Sequence, residues 1–369
     1  PGVGSPWTFG SDLTSSRSKP ATSRPGGTPG TVPGGLSGTD LAVLGLFFLS
    51  GASALVYEVV WSRLFTFVFG GTASAIATVL SAYMAGLAIG SYLFGRRIDR
   101  GGHPLVIYAI LEAGIAAWAI ILPFVLTLLD GLYGGLYRSL DPGPMALSLI
   151  RFALSFLVLL VPTILMGGTL PVLSRLLVDN RSSVGLKAGL LYAINTVGAV
   201  AGTASAGFFL IPSFGMRSST WIAVAFNVIV TLLAVLLVRK IPAPGAEPAR
   251  DISTSAPAPR EAHVRPAVDT GAGGIRRAAL IVYALSGFAA LTYEVAWTKV
   301  LSGALGTTTY AFTAMLTTFL AGLSLGALIA ARLLNRFEPA RLMALFQLGI
   351  AVLALLALPL FGNLPILFI

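Results

Sequence analysis

The sequence predicts an all-α, polytopic integral membrane protein built from two tandem helical bundles that run in the same direction. Three observations predict it. Charged residues are only 10% of the 369 positions and apolar ones 56%, against ~25% charged in ordinary soluble domains. The apolar residues gather into runs long enough to cross a bilayer. One such region recurs, without a gap and with about a third of its residues unchanged, later in the chain.

The composition also excludes. So many apolar side chains cannot be hidden behind so few charges in water, so lipid must solvate most of them. There is no cysteine, which rules out disulfides, thiolate nucleophiles and cysteine metal sites. The two histidines, His103 and His263, fall in polar connecting segments and read as solvated loop residues. No metal site and no cofactor are expected.

A crossing helix needs ~20 predominantly apolar residues. Nine segments qualify, near residues 41–62, 72–95, 104–128, 147–167, 187–212, 219–238, 278–298, 307–331 and 341–360. The fifth is rich in Gly and Ala, as expected of a helix packed tightly on its neighbours. Residues 1–40 are rich in Pro, Gly, Ser and Thr without an apolar core, and read as a flexible arm rather than a signal peptide. Residues 239–277 are too polar to cross and too rich in Pro to pack, and read as a linker. The division is therefore an arm (1–40), a first six-helix bundle (41–238), a linker (239–277) and the start of a second bundle (278–369) with about three helices.

The formal charge of +10 suggests nucleic acid until the charges are placed. Nineteen Lys and Arg fall in the arm, the linker and the loops after spans two, four and eight. The opposite loops hold Arg63, Arg138, Arg217 and Lys299, with Arg151 at the edge of span four. By the positive-inside rule the arm and linker are cytoplasmic, and the basicity records topology rather than a nucleic-acid partner. The expected location is a bacterial cytoplasmic membrane.

Residues 50–97 and 286–333 align without a gap, about one position in three being identical, a strong mark of duplication. Ser50-Gly51 matches Ser286-Gly287, Tyr57-Glu58-Val59 matches Tyr293-Glu294-Val295, Trp61 matches Trp297, and Ala85-Gly86-Leu87 matches Ala321-Gly322-Leu323. Six spans separate the copies, so both cross in the same sense. Parallel six-helix halves with a long linker resemble the major facilitator superfamily. Gly95-Arg96-Arg97-Ile98-Asp99-Arg100-Gly101-Gly102 is similar to that superfamily's loop motif after its second helix. A complete second half would need three further spans, so the chain is expected to be cut short after Ile369.

A narrower resemblance rests on the duplicated SG-x-x-AL-x-YE-x-x-W element, Gly167-Gly168-Thr169-Leu170-Pro171, Leu191-Tyr192-Ala193-Ile194-Asn195-Thr196-Val197-Gly198 and Gly207-Phe208-Phe209-Leu210-Ile211-Pro212. Together these resemble the membrane region of spermidine-synthase-like fusion proteins. In that family a major-facilitator-like domain precedes a cytoplasmic aminopropyltransferase domain. No Rossmann-like stretch with a glycine-rich loop occurs in these residues, so no aminopropyl transfer is expected from them alone.

Glu58 and Glu294 are the candidate binding residues. A carboxyl at membrane depth is costly and suggests function. The repeat relates the two and lets them face one cavity, near the outer side. With Tyr57, Tyr293, Trp61 and Trp297 beside them they suit a diamine or polyamine, by charge pairing and cation–π contact. Proton coupling by such a carboxyl is a second possibility. Alternatively each Glu pairs with Arg63 or Lys299, and the two Trp are interfacial belt aromatics. Asn195 is a further polar candidate, for substrate or for an interhelical hydrogen bond. Asp99 and Arg100 suit a latch between helices. Ser81, Gly86, Gly90, Gly322 and Gly326 form small-residue faces for close packing.

Three functions remain open. The first, put ahead because several ordered motifs carry it, is the membrane module of a spermidine-synthase-like fusion. The second is a major-facilitator-like transporter of a small cationic solute such as a polyamine. The third is a structural subunit of a larger membrane complex. The partners implied are the lipid bilayer, an aminopropyltransferase domain or other membrane subunits, and a polyamine ligand.

Overall fold

Nine α-helices and no strand form among the described residues of the computed structural model, which are 38–69, 72–140, 143–177, 184–241, 272–306, 308–333 and 336–367. They are α1 (Gly38–Phe69), α2 (Thr72–Asp99), α3 (Pro104–Leu140), α4 (Pro144–Leu177), α5 (Val184–Ser205), α6 (Ile211–Val238), α7 (Ala272–Leu305), α8 (Thr308–Leu333) and α9 (Pro339–Leu367). Residues 1–37 of the expected arm (1–40) and 242–271 of the expected linker (239–277) lie outside the described residues.

Eight continuous helical stretches among the described residues are long and apolar enough to cross a membrane. One of them, Gly189–Val238, runs for 50 residues, far beyond the ~20 that one crossing takes. It holds a π-helical turn at Ala206–Leu210 and breaks at Gly215, where φ is 76° and ψ 170°. That backbone is open essentially only to glycine. The stretch therefore supplies two crossings, one on each side of Gly215, as the hydropathy pattern predicts.

The duplication is visible in the helix bounds. α1 ends at Phe69 and α7 at Leu305; α2 starts at Thr72 and α8 at Thr308. Both pairs keep the register that matches Glu58 to Glu294. The helices overrun the apolar segments read from sequence, α1 continuing through Arg63 to Phe69 and α7 beginning at Ala272. Charged residues such as Arg63, Arg276 and Arg277 break a hydropathy run without breaking a helix.

Small residues bring the first-copy helices together. A Cβ on Gly86 would collide with Thr163, and one on Gly90 with the Ile164 carbonyl, so α2 and α4 touch backbone to backbone. Thr163 Oγ1, 2.8 Å from Leu159 O of its own helix, also comes within 3.1 Å of Ala82 O across the gap. The second-copy glycines differ from expectation: around Gly322 and Gly326 nothing lies within 4 Å of where a Cβ would sit. Ser81 is exposed and lies off the packed face. The outer surface is apolar, with Phe124, Leu128 and Phe288 each more than 70% exposed, as a lipid-facing surface requires.

The α2–α3 loop also differs from its reading. His103 is half-buried, and its Nε2 lies 2.9 Å from Ile241 O at the end of α6. Its partner is 138 residues away, so no local pattern announces the contact.

Candidate substrate site

α1 carries the adjacent Tyr57 and Glu58, and Trp61 one turn on from Tyr57, inside the helix bundle. Glu58 is 4% exposed and Trp61 1%. Because α1 runs on to Phe69, Glu58 lies deeper than a span ending at residue 62 suggests. Glu294 stands as far before the end of α7 as Glu58 does before the end of α1, and is 2% exposed. The two carboxyls lie within electrostatic reach of each other, with Tyr83 of α2 beside Glu58.

Neither carboxyl forms the ion pair that sequence offered as an alternative. Among the described residues no bond joins Glu58 to Arg63 or Glu294 to Lys299; the ion pair there is Arg341–Glu338 at 3.3 Å, on the surface. Arg63 instead lies over the Phe67 ring, 5.6 Å from its centroid. Glu294 Oε1 is buried with no hydrogen-bond partner. An unpaired buried acceptor costs free energy comparable to a lost hydrogen bond or more, so a ligand that supplies a donor and positive charge gains it back.

The aromatic flanks repeat as well. Tyr57 stacks on Trp61 with centroids 5.1 Å apart and planes at 16°. Tyr293 stacks on Trp297 at 5.3 Å and 18°. The i, i+4 spacing on one helix face makes each stack a local consequence of sequence. A third ring joins each pair: Tyr83 is tilted against Trp61 at 6.2 Å, and Phe319, at the matching position of the second copy, lines a cleft with Trp297. That cleft measures about 580 Å³, with Leu301, Met315, Thr318 and Leu323 among the other residues of its wall. Trp61 is buried rather than in an interfacial belt.

Asn195 is placed elsewhere. Its Nδ2 donates to Phe47 O at 3.0 Å, fastening α5 to α1. Asp99 and Arg100 are exposed at the end of α2. The bonds that shape this loop come from Arg97, whose Nη1 donates to Gly101 O at 2.9 Å, and from His103.

One buried carboxyl escaped the sequence reading. Glu112 of α3 is fully buried. Ser50 Oγ donates to its Oε1 and Asn227 Nδ2 to its Oε2, both at 2.5 Å. Asn227 Oδ1 in turn accepts from Tyr57 Oη at 2.9 Å. Glu112 is an ionisable residue inside the third apolar span, so the rule that singles out Glu58 would have found it. It lies outside the duplicated segment, residues 50–97 and 286–333.

Residues 41–369 match the Major Facilitator Superfamily, and the chain belongs to that family. It is an integral membrane protein, a multi-pass module of transporter type in contact with lipid. It is also similar to polyamine aminopropyltransferase 1 of Streptomyces coelicolor (strain ATCC BAA-471 / A3(2) / M145), 24% identical over 202 residues. That stretch is 54% of this chain, and the chain spans 35% of the relative's length. No solved structure matches.

Proposed function

We propose that the chain is the transport module of a major-facilitator-type carrier for a small organic cation such as a polyamine, bound between Glu58 and Glu294. The observation that carries this reading is Glu294 Oε1, buried without a hydrogen-bond partner among the described residues and within electrostatic reach of a second buried carboxyl, Glu58. Two acidic groups so placed favour a ligand bearing separated ammonium groups, each able to donate to one carboxyl. The stacked Tyr57–Trp61 and Tyr293–Trp297 pairs add polarisable faces suited to alkylammonium carbons and charge. Family membership supplies the transport architecture, so the carrier reading, second on sequence alone, moves ahead.

The fusion-module reading retains one supporting observation, the similarity to a protein whose name specifies polyamine aminopropyl transfer. Both readings share a polyamine. They part on whether solute crosses the bilayer. The test is uptake of labelled spermidine into proteoliposomes holding the parent, Glu58→Gln or Glu294→Gln. Saturable uptake by the parent and its loss in both variants support the carrier; equal uptake in all three removes the carboxyls from the site.

A further inference from the structure

Glu112 is the third carboxyl buried in this helix bundle, and cation binding between Glu58 and Glu294 gives it no task. Its neighbours define one. Ser50 and Tyr57 both belong to α1, Asn227 to α6 and Glu112 to α3. The chain Tyr57 Oη to Asn227 to Glu112 to Ser50 Oγ therefore grips α1 at two points, two turns apart, from two other helices. A helix held at one point can still turn about its axis; one held at two on the same side cannot. Tyr57 and Glu58 are adjacent, so their side chains diverge by about 100° around the helix. Fixing Tyr57 toward α3 and α6 fixes Glu58 toward Tyr83 and Glu294.

The second copy shows which part of this chemistry is essential. There Ser286, the counterpart of Ser50, accepts from Gln347 Nε2 of α9 at 2.6 Å. A first-helix serine thus meets a third-helix side chain in both copies, through a carboxyl in one and a neutral carboxamide in the other. The Tyr293–Trp297 stack forms there as well, so stacking itself does not need the network. The network's contribution is the rotation of α1.

We infer that Glu112, through Asn227 and Ser50, is a positioning residue that sets the rotation of α1 and presents Glu58 to Glu294, acting by hydrogen-bond geometry rather than by charge. A carboxamide at 112 can accept from Asn227 Nδ2 and donate to Ser50 Oγ, as Gln347 donates to Ser286. A leucine can do neither.

The inference rests on the proposed cation site, and its test separates the two. The chain has no cysteine, so a Glu58→Cys/Glu294→Cys pair reports alignment of α1 and α7 through a short bis-methanethiosulfonate cross-linker, without any ligand. The pair should cross-link in the parent background. Tyr57→Phe, Asn227→Leu and Glu112→Leu should each slow it by about tenfold, the scale of one lost buried hydrogen bond. Glu112→Gln should stay within about twofold of the parent, the loss expected when the bonds are kept. In the chain that keeps Glu58 and Glu294, spermidine uptake should follow the same order. No cross-link in the parent, an unchanged rate in Glu112→Leu and Asn227→Leu, or a Glu112→Gln as slow as Glu112→Leu would each overturn the inference. Tyr57→Phe removes a single oxygen and keeps the test open if a larger change prevents folding. Cross-linking in the predicted order without spermidine uptake would sink the cation site and leave the positioning role standing.

Discussion

Glu58 and Glu294 hold the same register in two copies of one sequence element, and they lie within electrostatic reach of each other, with no ion pair to either among the described residues. A stable apo fold gains nothing from this arrangement. Such an arrangement trades stability for binding, and that trade is measurable.

Replacing either carboxyl by its amide should stabilise the protein while weakening binding. Glu58→Gln or Glu294→Gln is expected to raise the unfolding temperature in detergent by about 1–2 °C, the shift that roughly 1 kcal/mol gives in a chain of 369 residues. Tryptophan fluorescence during a thermal ramp reads it. A fall in the unfolding temperature would mean that the carboxyls are structural.

The two small-residue faces should respond differently to the same change. Gly86→Ala drives a methyl group into Thr163, and overpacking of this kind costs about 1–3 kcal/mol. Gly322→Ala meets nothing within 4 Å and should leave the unfolding temperature unchanged or slightly higher. Equal losses at the two sites would show that α8 packs as closely as α2.

Gly215 should resist any side chain. Its φ of 76° with ψ of 170° lies where L-residues are strained by roughly 1–3 kcal/mol. Gly215→Ala is therefore expected to destabilise even though nothing lies within 4 Å to clash with the added methyl. Thermal unfolding of Gly215→Ala beside Gly349→Ala, in open space at ordinary φ, isolates the backbone effect.

Asn195 should matter for stability and not for ligand. Losing its bond to Phe47 O through Asn195→Leu should cost about 0.6 kcal/mol, the average for interhelical bonds in membranes, with spermidine affinity unchanged. Affinity that falls tenfold without a change in stability would return Asn195 to the binding site.

Much of the fold was legible because membrane burial writes itself as length and hydropathy. Nine spans, their parallel duplication and the matched register of Glu58 and Glu294 all follow from runs of apolar residues and one repeated element, whereas the depth of the two carboxyls does not, because α1 runs on to Phe69. Helix ends were less legible, since Arg63 interrupts hydropathy while α1 continues through Phe69. The Glu112 network was missed because its bonds join residues 62, 115 and 170 positions apart, and no periodicity links such residues. His103 was misread for the same reason, its partner lying at the end of α6. The contrast between Gly86 and Gly322 is invisible in sequence, because identical spacing says nothing about which helix lies opposite.

Equilibrium binding of labelled spermidine to the purified chain, with Glu58→Gln and Glu294→Gln alongside, tests the carboxyl pair most directly. Saturable binding to one site per chain, weakened at least about tenfold by either substitution as expected for a lost charge-assisted bond, is the predicted result. Spermidine bound equally well by all three proteins, or by none, would contradict it.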